Sequence, residues 1–289
     1  VARQRVSVAI ATWMRTAPAA NTDTPAPIAS RAGRDRNRCD AVQIATDAGF
    51  SNIVEQASGL ASPAYSATTI NTNTPYYWRV RATNDCGTSI DSSVFTFRTV
   101  AAPGDCTSGT TANPLYQYGF ESGAGSWTHS GSGDTWAIAS ANPHSGTSQF
   151  HATDPATISD QRLVAPAVPL PAGQNPVVLK FWHVPNLEPS GATACFDVGI
   201  LEVSTNAGAT WTQVPNANLL VGPYRGAVSA SFANPLAGLQ AWCGTTTYIQ
   251  TVADISAYAG QSAQFRMRLG SDNSASAPGW DVDDVVVQS

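Results

Sequence analysis

Nowhere in the 289 residues does a long stretch keep the three-to-four-residue spacing of apolar side chains that an amphipathic helix needs. Short apolar runs alternate with period two instead, and clusters of Gly, Pro and Asn break them repeatedly. The 23 Gly and 19 Pro sit in a chain that is only 12% charged. Such a chain can bury its apolar positions only by stacking sheets, so the fold class is all-β, as sandwiches or jelly rolls. The length suffices for two domains.

Charge is unevenly distributed. Seven of the 14 arginines lie in residues 1–38, which carry a net charge of +5, whereas residues 39–289 carry −10. An acidic body argues against nucleic acid and anionic membranes as partners and suits an extracellular protein that binds cations. No run of 18 apolar residues marks a membrane span. The chain starts at Val1, which is read as a fragment of a longer precursor with any secretion signal upstream. Residues 1–40, with "RAGRDRNRCD", show no strand or helix period and are expected to form an N-terminal segment or linker.

Patterned β sequence begins near Ala41. "TPYYWRVRATN" places Tyr76, Trp78, Val80 and Ala82 on one face and Tyr77, Arg79 and Arg81 on the other. The run of aromatic and β-branched residues, followed by the turn "TNDCGTS", resembles the second half of a fibronectin type III domain. That resemblance assigns a β-sandwich to residues 41–100 and makes Tyr76 its corner tyrosine. Residues 101–114, "AAPGDCTSGTTANP", read as a linker.

Residues 115–289 hold about ten strand-like segments, spaced as in a two-sheet jelly roll. "SAQFRMRLG" turns Ala263, Phe265, Met267 and Leu269 inward and Arg266 and Arg268 outward. The motifs "YGFESGAGSW", "HSGTSQFHA", "ILEVSTNAGATWTQV" and "GWDVDDVVV" together resemble the jelly-roll family of MAM domains and carbohydrate-binding modules, and especially the accessory modules of secreted bacterial peptidases. The resemblance implies a structural calcium ion where the Gly-Phe-Glu start meets the closing strand. Calcium takes six to eight oxygens, several from carboxylates and carbonyls. Glu121 and Asp283 become adjacent if the terminal strands pair, so they are the expected main ligands. The Gly119 carbonyl, Asp284 and the loop at Asn142 are expected to support them. By alternation Asp284 points away from Asp281 and Asp283. The alternative is that these acids are solvated edge charges.

Five cysteines without a CxxC pair favour disulfides in an oxidising compartment over structural zinc. Cys195 and Cys243 are the only two in the jelly-roll segment and are expected to pair. Cys86 pairs with either Cys106 or Cys39. "STNAGATW", Ser204–Trp211, resembles a sialidase-type Asp box with Asn206 in place of its aspartate, and a single copy reads as a structural hairpin. Trp127 and Trp242 lie near turns and are the candidates for stacking on a sugar ring. No HExxH, GxSxG or Gly-rich phosphate loop occurs. The functional expectation is a non-catalytic accessory region of a secreted or cell-surface bacterial hydrolase, in particular a peptidase. It would dock on an extracellular protein or polysaccharide, or on its parent catalytic domain. The alternatives are a carbohydrate-binding module and a structural adhesion or appendage subunit.

Overall fold

The computed structural model describes residues 6–9, 39–60, 64–84, 87–88, 90–106 and 110–289. They divide into two compact units, Val1–Ala102 and Pro103–Ser289. Among them there is no α-helix, only strands, turns and three short 3-10 turns. Among the described residues no helix is long and apolar enough to cross a membrane.

In the first unit, strand Cys39–Ala45 is flanked by Ile53–Leu60 and Pro75–Asn84, and the latter also pairs with Phe95–Arg98. Val42, Ile44, Tyr76, Trp78 and Val80 form the core with Ala67 and Ile70, as the alternation of the Tyr76 strand requires. The Tyr76 hydroxyl accepts the Asn71 N–H at 2.8 Å, which ties the strand to the corner that precedes it. Residues 1–40, expected to lack regular structure, contribute strand Val6–Ala9, paired antiparallel with Ala64–Ala67. Four residues are too few for a period to be read from sequence, and only the partner strand selects them.

The second unit is an antiparallel sandwich. One sheet has seven strands, ordered Ala137–Ala139, Gln149–Ala152, Gly279–Gln288, Val178–Asn186, Ile249–Asp254 and Leu219–Val221, with Pro114–Tyr118 also on the closing strand Gly279–Gln288. The other has six, ordered Thr212–Gln213, Val198–Ser204, Ser262–Ser271, Ser159–Val164 and Thr128–Ser132, with Val168–Pro169 also on Ser262–Ser271. Phe120, Phe150, Phe181, Phe265, Trp136, Trp242 and Trp280 fill the space between. Gly199 is dictated by this packing, since a Cβ there would meet the Trp280 ring at 2.7 Å. Ala263, Phe265, Met267 and Leu269 are buried, while Arg266 pairs with Glu202 and Arg268 with Asp160 on the opposite face.

The segment expected as a linker belongs partly to this second unit. Gly104 lies against Val252 and Val178, Lys180 reaches Asp105 at 3.2 Å, and Asn113 exchanges backbone hydrogen bonds with Ser289. Its Gly and Ser content allowed a flexible reading, but the apolar surface of the sheet holds it. Cys195 and Cys243 form a disulfide across 48 residues. Cys86 and the side chain of Cys39 lie outside the described residues, and Cys106 is half-buried.

Candidate functional site

The closing strand pairs with Gln149–Ala152 along its first half and with the opening strand Pro114–Tyr118 along its second. Trp280 and Val282 face the core, yet beyond Asp284 the inward positions are Val285 and Val287. The change of parity is a β-bulge. Asp284 has φ 48°, and the register with the neighbouring strand slips between Lys180 and Trp182. An inserted residue turns two successive side chains to one side. Asp284 therefore faces the same loop as Asp281 and Asp283, and the expectation from simple alternation is corrected.

The loop is residues 142–148. Asn142 donates its side-chain amide to Asp281 Oδ2 at 2.9 Å, and the His144 and Ser145 N–H groups donate to Asp283 Oδ2 at 2.9 and 3.2 Å. His144 Nδ1 meets Asp284 Oδ2 at 2.6 Å, and the Ser145 hydroxyl donates to Asp284 Oδ1 at 2.8 Å. Asp281 also meets His151 Nδ1 at 2.7 Å. Glu121 takes the other end of the loop. Its Oε1 accepts the Thr147 and Ser148 N–H groups, and its Oε2 the Thr147 N–H and hydroxyl. Gly146, at φ 61°, is the close-approach position, because a Cβ would meet the Glu121 carboxylate at 2.4 Å. The backbone hydrogen bond from Thr147 holds the Glu121 carboxyl below its ordinary range, whereas burial raises that of Asp283.

Glu121, Asp283, Asp284 and Asn142 thus converge on one region, with Gly119 against Asp284 Oδ1. As a cation cradle the set fits poorly. Most of its carboxylate oxygens already accept N–H and O–H groups of the loop, and in this structure they organise backbone.

A second acidic group was not singled out from sequence. Asp154 follows strand Gln149–Ala152, Glu188 follows Val178–Asn186, Asp197 precedes Val198–Ser204, and Asp272 follows Ser262–Ser271. Oxygens of Glu188, Asp197 and Asp272 lie within 4.8 Å of one another, so the cluster could hold a metal ion. Asp154 faces Asp197. Asp154, Asp197 and Asp272 are at most 2% exposed. Both oxygens of Asp154, and Glu188 Oε2, Asp197 Oδ2 and Asp272 Oδ2, are buried without a hydrogen-bond partner. Burial raises the carboxyls of Asp154 and Asp197 above their ordinary range, and the neighbouring acids add to it. In sequence each acid is a single polar residue at a strand end, which reads as a turn residue.

Among the described residues, the two tryptophans expected to stack on a sugar do not form a platform. Trp127 is 4% and Trp242 1% exposed, which corrects their assignment as stacking residues. Trp127 donates its indole N–H to the Tyr116 hydroxyl at 2.7 Å and packs edge-on against Phe120. Trp242 donates to the Gly222 carbonyl at 2.9 Å and packs on Tyr224 and His183. Proximity to a turn misled, because a ring beside a turn can fold under it. Trp211 does the same in the Asp-box-like hairpin, its N–H on the Gly208 carbonyl and Arg266 over its face at 4.4 Å. Trp182 stacks on His144 at 4.1 Å.

Among the described residues three His–Asp pairs occur, at His129–Asp134, His144–Asp284 and His151–Asp281. Near the second, the Ser145 hydroxyl donates to the aspartate rather than to the imidazole, so no nucleophile–base relay is assembled. His183 is wholly buried. Trp280 Nε1–H donates to its Nδ1 at 3.1 Å, which leaves Nε2–H for Thr251 Oγ1 at 2.9 Å, and burial pushes its pKa down to about 3. Beside the loop, the side chains of Asn142, Gln149, His151, Asn186, Thr246 and Asp281 line a cleft together with Ala139, Ala141, Val184 and Pro278.

No family model matches the chain. It is 28% identical over 181 residues to Bacillopeptidase F of Bacillus subtilis (strain 168), a match covering 60% of this chain and 10% of that protein. Among solved structures it is similar to a carbohydrate-binding module in complex with β-1,4-galactotriose, with TM-score 0.37, 18% identity and coverage of 58% of this chain and 92% of the module. It is also similar to a structure of carbohydrate-binding modules from the β-sandwich superfamily, with TM-score 0.38, 15% identity and coverage of 86% and 84%.

Proposed function

We propose that the chain is a non-catalytic accessory region of a secreted bacterial peptidase, in which a fibronectin type III-like spacer precedes a calcium-stabilised jelly roll that docks on extracellular protein. The observation that carries this reading is the 181-residue similarity to Bacillopeptidase F, a protein of which the match spans only a tenth. The Cys195–Cys243 disulfide agrees with an oxidising, extracellular setting. The Tyr76–Asn71 corner agrees with the fibronectin-like spacer. The acids and imidazoles of the loop region hold backbone in place, as a rigid docking scaffold requires.

A second reading, a carbohydrate-binding module, is favoured by this cleft, whose amide, imidazole and carboxylate groups suit sugar hydroxyls and whose apolar lining suits the face of a sugar ring. Co-sedimentation separates the two. The purified chain is expected to sediment with an insoluble protein matrix and not with insoluble polysaccharide, and to hydrolyse neither. Retention on polysaccharide, lost in Asn186→Ala, transfers the assignment to the second reading. Turnover of casein abolished by one substitution removes both.

A further inference from the structure

The four acids at the strand ends form a site in their own right. Asp197 Oδ1 accepts the Asp272 N–H at 2.6 Å, and Asp272 Oδ1 accepts the N–H and hydroxyl of Ser274 at 2.7 and 2.8 Å. Each of these two carboxylates is thereby fixed by one oxygen and aims the other, unpartnered, into the cluster. Asp154 adds two oxygens that make no close hydrogen bond, although the Glu188 and Ala277 backbone N–H groups lie near them, and Glu188 adds one; no arginine, lysine or histidine among the described residues pairs with any of the four. Buried carboxylates in this state repel one another and lack the solvation they have in water, so only protons or a cation can compensate them.

We propose that Asp154, Glu188, Asp197 and Asp272 bind a divalent cation, namely calcium, at a site separate from the Gly-Phe-Glu region. The donor set is entirely carboxylate oxygen, with neither thiol nor imidazole, which selects a hard cation over zinc or copper. Five unpartnered oxygens approach the six to eight that calcium takes and exceed the one or two carboxylates with which magnesium is usually held. Half-buried Glu188 gives the ion a route from solvent. Asp154 and Glu188 follow strands of the seven-stranded sheet, and Asp197 and Asp272 flank strands of the six-stranded sheet, so one ion would tie the two layers together. The site lies on no docking surface invoked above, and its test uses no docking target.

The test is calcium and magnesium titration of the chelator-treated full chain by calorimetry, with melting curves in millimolar calcium and in chelator. Wild type is expected to bind one calcium and to melt at a higher temperature in its presence. Asp197→Asn and Asp272→Asn are expected to abolish both effects, and Glu121→Gln and Asp283→Asn to retain them. Should either cluster variant fail to fold, Glu188→Gln, at a half-buried position, serves in its place and is expected to weaken binding. Absence of binding by wild type overturns the proposal. So does binding that survives the cluster substitutions and disappears in Glu121→Gln or Asp283→Asn.

Discussion

Glu121, Asp281, Asp283 and Asp284 all accept N–H, hydroxyl or imidazole donors around one loop, whereas Asp154, Glu188, Asp197 and Asp272 leave five buried oxygens with none. Both groups are carboxylates at the margins of the same sandwich. The first is conspicuous in sequence because three of its members fall within four residues of the closing strand. The second is scattered over 119 positions from Asp154 to Asp272. Density of acids along the chain thus proves a poor guide to unbalanced charge in space. A backbone loop supplies many N–H donors and can neutralise a dense cluster, whereas strand ends that converge from two sheets bring their acids and few donors.

Asp283→Ala offers the largest contrast. It leaves the His144 and Ser145 N–H groups of the loop without their carboxylate acceptor. A loss of about 3 kcal/mol is expected from two orphaned donors, equal in calcium and in chelator. Urea unfolding in both media measures it, and a loss confined to calcium would make the closing strand, after all, a metal site.

The next effect concerns a buried group that is fully partnered, His183. Its folded pKa of about 3 lies below the ordinary 6.5. Between those values the unfolded chain takes up a proton that the folded chain refuses, so stability falls as pH drops through the window and is flat above it. From pH 6.5 to 5 the loss is about 2 kcal/mol, at about 1.4 kcal/mol per unit. Denaturant unfolding at pH 7, 6 and 5 reads the slope, and His183→Gln is expected to flatten it. An unchanged slope in the variant would assign the loss elsewhere.

The smallest effect has the opposite sign. Asp154→Asn removes one of the mutually repelling carboxylates and is expected to stabilise the chelator-treated protein by about 1 kcal/mol, while removing the gain from calcium. Destabilisation in chelator would mean that Asp154 already has a compensating partner, and the contrast between the two acidic groups would collapse.

Much of the framework could be read before any coordinates. Alternation set the inward faces of Ser262–Ser271 and of the Tyr76 strand, and two cysteines in one unit met as a disulfide. The pairing of first and last strands also followed the motif resemblance. The bulge was legible too, had the parity change from Trp280 and Val282 to Val285 and Val287 been followed through. Trp127 and Trp242 were misplaced because a turn-adjacent ring has the same sequence signature whether it folds under the sheet or stands in water.

By itself the sequence determined the all-β class, the strand faces and the identity of the residues that fill the core, because those rest on period-two patterning and short-range turn chemistry. Only the tertiary structure decided which acids are satisfied and which are not. Compensation of a buried charge depends on donors brought to it from other strands, and those distances are set by the stacking of the two sheets.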